Sequence, residues 1–195
     1  MAMRIQIAAR RDFKSLDLFE MHALRARVFK DRLGWEVPVF NGMEIDGYDA
    51  LDPYYMMIRD PEDGGLRGCW RLLPTEGPYM LKDTFAALLH GAPAPQHPRV
   101  WELSRFAIQT GPNSRFGFSE ITMESFGEMI HYGRANNIDR FVTVVTTGFE
   151  RLLRRAGVVT TRLGAPEQIG VEKAVALYVE VEATYHAVYE QRMAL

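Results

Sequence analysis

Along this chain, segments whose apolar residues recur at every second position alternate with segments whose apolar residues recur every three or four. A period of 2 marks strands with one buried face, and a period of 3.6 marks amphipathic helices. Arg4–Ala8 has the first pattern, and Lys14–Phe29 has the second, through Leu16, Phe19, Ala23 and Ala26. Tyr54–Ile58 and Arg67–Leu73 read as strands around a Pro61–Gly65 turn, and Lys82–Leu89 as a short helix. Val100–Ile108, Phe141–Thr146, Val158–Leu163 and Ala174–Val181 add strands; Ser119–Asn136 and Thr147–Ala156 add helices, the second ended by Gly157. The simplest solution is an α/β fold with a single mixed sheet flanked by helices. No repeat, low-complexity tract or charge block divides the chain, so residues 1–195 are expected to form one domain.

Composition excludes several functions. A formal net charge of −2 gives no long-range field for nucleic acid. No apolar run approaches the roughly 18 residues that cross a bilayer. Cys69 is the only cysteine, and Met1–Ile7 alternates polar and apolar residues where a signal peptide would be apolar, so a reducing, cytoplasmic setting is expected.

The most informative stretch is Val100–Ile108, because Glu102 and Arg105 interrupt an otherwise apolar strand. Strict alternation puts Glu102, Ser104 and Phe106 on one face and Arg105 on the other, unless a bulge intervenes. Each charge needs a partner elsewhere, in the scaffold or on a ligand. Gly34–Pro53 is rich in turn residues and reads as a long irregular loop; within it Asp46 and Asp49 either face a cation or ammonium group or cap turns. Arg71 invites a carboxylate partner, which Asp46 or Asp49 would supply as scaffold. Arg25, Phe29 and Trp35 offer a cation and two aromatics, suited to clamping a purine or sulfonium or to core packing. Arg140, Arg151, Arg154 and Arg155 form a basic patch, either a solvated face or a dock for an acidic partner.

Other signals fail. Glu124, Glu128 and His131 contain one Glu-x-x-His but lack the second copy that a di-iron bundle needs, so no metal site is expected. Ser104 has no nucleophile elbow, and no dinucleotide fingerprint or P-loop appears.

Taken in order, Arg25-x-x-x-Phe29, Trp35, Met43-Glu-Ile-Asp46-Gly-Tyr-Asp49, Gly68-Cys-Trp-Arg71 and Trp101-Glu102-Leu-Ser-Arg105-Phe106 resemble the acyl-homoserine lactone synthases, quorum-sensing autoinducer synthases of the LuxI type. Gly77–Lys82 and Glu44–Leu51 resemble the LasI-like branch of that family. The resemblance implies a fold related to the GNAT acetyltransferases. It implies two substrates, S-adenosylmethionine and an acyl thioester on acyl carrier protein, and no cofactor. By that resemblance Glu102 is the base, with Arg71 and Arg105 beside it at the catalytic centre. Arg25, Phe29, Trp35, Asp46, Asp49, Arg71 and Arg105 form the adenosylmethionine side, and Ser104 and Phe106 contact substrate. Members that favour 3-oxo chains tend to place a threonine where this chain has Val145; Thr143 remains on the same face, and an unsubstituted or tolerant acyl preference follows. Arg151 and Arg155 would meet the acidic carrier protein.

The alternative is a GNAT N-acetyltransferase using acetyl coenzyme A. Arg154-Arg155-Ala156-Gly157-Val158-Val159 matches that family's pyrophosphate loop except for the bulky Val159.

Overall fold

The computed structural model describes residues 2–109 and 120–190. They fall into two compact units, the described residues of Met1–Leu72 with Arg105–Ser125, and those of Leu73–Ser104 with Phe126–Leu195.

In the first unit, β1 (Arg4–Ala9) pairs antiparallel with β4 (Tyr54–Arg59), which pairs antiparallel with β5 (Leu66–Pro74). Helix α1 (Ser15–Ala26) begins where the Asp17 carboxylate accepts the Lys14 backbone N–H at 3.2 Å. It lays Met21 and Leu24, with Val28 just beyond its end, on Tyr55, Met57 and Cys69, and that contact is the core of this unit. At its end it widens into a π-helical turn, Arg27–Arg32, in which the Leu33 N–H donates to the Val28 carbonyl. Such turns are rare and concentrate at functional sites. The segment expected to be irregular contains a two-strand hairpin, β2 (Val39–Phe40) and β3 (Met43–Glu44), and a 3-10 turn, Gly47–Leu51.

In the second unit, the Val100–Ser104 part of β6 (Val100–Ile108) runs parallel to β7 (Arg140–Thr146) from Val100↔Arg140 to Leu103↔Thr143. Beyond β7, β10 (Glu172–Glu180) is antiparallel, and it carries β8 (Thr160–Arg162) and β9 (Glu167–Ile169), also antiparallel. The sheet is therefore mixed, the simplest solution expected from the alternating periods. The expected helix at Lys82–Leu89 is instead α2 (Met80–Asp83) followed by a separate 3-10 turn, Ala86–Leu89. Helix α3 spans Glu120–Ala135, its expected first residue, Ser119, lying outside the described residues. Helix α4 (Thr147–Arg155) starts on the Thr146 hydroxyl, which accepts the Phe149 N–H, and α5 (Val181–Tyr185) follows β10. Among the described residues no helix is long and apolar enough to cross a membrane.

Candidate active site

Five of the residues singled out in the sequence come together in the first unit, with a sixth, Glu44, that was not. Three arginines, Arg25, Arg71 and Arg105, interlock with three carboxylates, Glu44, Asp46 and Asp49. Arg25, from α1, holds both Asp49 oxygens at 2.8 and 2.9 Å and grips Glu44 on β3. Arg71, from β5, reaches Asp46 and, at 3.0 Å, Asp49. Arg105, from β6, reaches Glu44 at 3.0 Å and Asp46 at 2.7 Å. Tyr55 donates its hydroxyl to Asp49 at 2.7 Å, and the Tyr48 ring lies 5.4 Å from the Arg71 guanidinium carbon.

Of the two readings left open for Asp46 and Asp49, turn capping is the one seen, and the cations they meet are the protein's own arginines. Asp46 caps the 3-10 turn by accepting the Tyr48 N–H, and Asp49 accepts the Asp46 N–H, while each binds arginine. Their short side chains hold the turn and leave oxygens for the guanidinium groups.

Burial makes this pairing obligatory. Arg25, Arg71 and Glu44 are fully buried and Asp49 nearly so, so an unpaired charge here would cost several kcal/mol. Only Asp46 and Arg105 keep a little exposed side chain, 10% and 11%. Burial alone pushes the Asp49 carboxyl upward, but Arg25, then Arg71, more than offset it and hold it well below the usual carboxylate range. The Cys69 thiol, buried beside them, is pushed up to about 12 and stays protonated.

An aromatic pair borders the cluster. Phe29 and Trp35 stack in parallel, 5.4 Å apart and 5° from coplanar, with the Arg105 guanidinium 5.6 Å from the Phe29 ring centre. The buried Trp35 indole nitrogen has no hydrogen-bond partner. Phe106, expected against substrate, contacts Trp70 at 4.4 Å between ring centres.

Alternation along β6 fails at Arg105, which takes a left-handed φ of +56°. The single-face placement of Glu102, Ser104 and Phe106 therefore does not hold through the strand. Ser104 is half-buried just before this break. Glu102 belongs to the second unit, where its buried carboxylate accepts the backbone N–H groups of Met80 at 3.0 Å and Leu81 at 2.7 Å, at the start of α2. Both charges of the strand thus have scaffold partners. On β7, Thr143 is buried opposite Leu177, and Val145 is half-buried opposite Val175. On α4, Arg151 and Arg155 are exposed, whereas Arg154 is drawn to the buried Glu150 at 3.1 Å. Glu150 also binds Arg162 from β8. Its signal in the sequence was the four-residue step to Arg154.

The autoinducer synthase family model matches residues 10–188. The chain belongs to the autoinducer synthase family. It is 50% identical, over 99% of its length and 100% of the relative's, to the acyl-homoserine-lactone synthase of Pseudomonas aeruginosa. The crystal structure of the AHL synthase LasI superposes with a TM-score of 0.89 at 51% identity, covering 96% of this chain and 95% of that one. TofI, solved in a ternary complex with an inhibitor and MTA, gives a TM-score of 0.81 at 33% identity, covering 96% of each. The fold class expected for this autoinducer synthase, a mixed sheet flanked by helices as in GNAT-like acyltransferases, is the one found. The pyrophosphate-loop look-alike, Arg154–Val159, straddles the C-terminal end of α4. A helix C-terminus presents carbonyls, the wrong polarity for pyrophosphate.

His22 gives this unit a pH dependence. It is buried, donates from Nδ1 to the Glu44 carbonyl at 2.9 Å, and meets Tyr55 edge-on. Burial, then Arg25, lowers its pKa below 6.5. Between that lowered value and 6.5 the unfolded chain binds a proton that the folded chain refuses. The stabilisation is therefore fully present above about 6.5 and is lost as pH falls, by up to about 1.4 kcal/mol per pH unit. Urea unfolding between pH 7 and 5 is expected to show this slope, and His22→Gln to flatten it; an equal slope in the variant contradicts the assignment.

Proposed function

We propose that this chain synthesises acyl-homoserine lactones as quorum-sensing signals. In the first step the amine of S-adenosylmethionine attacks the carbonyl carbon of an acyl thioester; the amide bond forms, the thiol leaves, and the amine gives up a proton. In the second, the methionyl carboxylate attacks the carbon next to the sulfonium, closing the lactone and expelling methylthioadenosine. The observation that carries this reading is the convergence of Arg25, Glu44, Asp46, Asp49, Arg71 and Arg105 on one charge-balanced cluster against the Phe29–Trp35 stack. A sulfonium amino acid brings a cation, an ammonium, a carboxylate and an adenine, and this surface offers a complement to each.

Within the cluster, Asp46 and Arg105 have the exposed edges, so they meet the ammonium and carboxylate of the substrate. Arg25, Glu44, Asp49 and Arg71 sit beneath and fix their orientation. Glu102, whose carboxylate is oriented by the Met80 and Leu81 N–H groups, accepts the amine proton, directly or through a water. Ser104 and Phe106 are substrate contacts by the family resemblance alone. Adenosylmethionine is consumed as a substrate, so the reaction requires no resident cofactor and no metal. A single cysteine, Cys69, supports a reducing, cytoplasmic setting for the enzyme in this reading.

The acyl donor in this reading is acyl carrier protein, docked on the exposed Arg151 and Arg155. Reversing both to Glu is expected to raise KM for the acyl carrier protein about tenfold or more, since opposed like charges cost several kcal/mol. KM for adenosylmethionine should stay unchanged. Equal kinetics for the carrier protein would leave the patch as solvated surface, and equal use of a coenzyme A thioester would remove the carrier as obligatory donor.

Val145 and Thr143 set the acyl preference. With one hydroxyl fewer along this face of β7, the products are expected to be unsubstituted or mixed at the 3-position. Profiling of purified products that yields only 3-oxo lactones would overturn this.

A further inference from the structure

Among the described residues with a positive φ other than glycine, Arg105 alone lies inside a strand. Asn, Asp and His occupy the others, and Asn and Asp in particular tolerate this conformation through local hydrogen bonds. Arginine has no such aid, so the conformation must be imposed from outside. The grip is visible. Arg105 Nε donates to Glu44 Oε1, while the other Glu44 oxygen, Oε2, accepts from Arg25 Nε. Glu44 is fully buried, so a carboxylate locked by the helix arginine holds the strand arginine. Asp46 takes a second nitrogen of Arg105 at 2.7 Å. The guanidinium held in this way lies over Phe29, and Phe29 stacks on Trp35.

We propose that Glu44 is a positioning residue that keeps Arg105 left-handed over Phe29 and so sets the aromatic stack that receives adenosylmethionine. The identity of that ligand rests on the function proposed above; the positioning itself does not. Two variants test it. Glu44→Gln removes the charge, and Glu44→Asp keeps a charge beside Arg25 but is too short to reach both arginines, so at least one is expected to fold. In crystal structures of either, Arg105 is expected to leave the left-handed region or to move its guanidinium off Phe29. An Arg105 that keeps φ near +56° with its guanidinium still on Phe29 overturns the proposal.

Calorimetry with adenosylmethionine reads the consequence. Each Glu44 variant is expected to weaken binding about tenfold in the wild-type background and less than about twofold when Arg105 is already Ala, the non-additivity of residues acting in series. A loss of the same size in both backgrounds overturns the proposal. Wild-type protein that binds no adenosylmethionine would instead refute the functional reading, and the crystal structures would still decide the role of Glu44.

Discussion

Arg25→Met is expected to lower the free energy of unfolding by about 3–5 kcal/mol, the cost of removing one partner from a buried charge network. Arg25 is fully buried and holds Asp49 with two hydrogen bonds while gripping Glu44. Methionine fills much of the volume, so the loss is electrostatic: three carboxylates would remain with two arginines, leaving one surplus buried negative charge. Adding Asp49→Asn, which removes that charge, is expected to restore part of the stability, because coupled residues are not additive. Guanidinium unfolding at neutral pH measures both. A loss below about 1 kcal/mol for Arg25→Met would mean that the cluster is far more hydrated than its burial indicates.

Glu102→Gln is expected to lower kcat about 100-fold or more, the range for losing a general base. Stability and adenosylmethionine affinity should change much less. Glutamine keeps the shape but has one acceptor oxygen for two backbone donors, Met80 and Leu81, at a cost of about 1–3 kcal/mol. That cost lowers the melting temperature; it does not by itself slow chemistry in protein that stays folded. A kcat within tenfold of wild type would make Glu102 a scaffold residue that ties β6 to the start of α2. A parallel fall in affinity and kcat would place it in substrate binding.

How far the site was legible in the sequence follows from how its residues are held. Long periodic segments were readable because one buried face imposes the period: β1, β4, β5, β6 and α1 lie within a few residues of their expected bounds. The β2–β3 hairpin was not, since two-residue strands have no period to detect, and Glu44 was missed with it. Its pairing with Arg25 and Arg105 crosses 19 and 61 positions, separations at which spacing carries no information. Arg105 shows a different limit. A bulge was the stated exception to the alternation argument, but its position could not be read, because a left-handed arginine is made by the Glu44 and Asp46 contacts and not by local propensity. Asp46 and Asp49 illustrate a third: spacing offers a cation or a turn cap as alternatives, yet carboxylates with two oxygens each cap the turn and still bind arginine.

The family resemblance covered what spacing did not, because the order Arg25, Phe29, Trp35, Asp46, Asp49, Arg71, Arg105 has no explanation in secondary structure. It becomes a unit only once the chain is folded, when five of these seven residues share one salt-bridge network and the other two stack beside it.

The central claim is tested most directly by mass spectrometry of the products formed when purified protein meets adenosylmethionine and a panel of acyl carrier protein thioesters. The expected result is an N-acyl-homoserine lactone and methylthioadenosine in equal amounts, neither appearing when adenosylmethionine or the thioester is left out. Acyl transfer to an amine without methylthioadenosine release, or tight adenosylmethionine binding with no turnover, would contradict it.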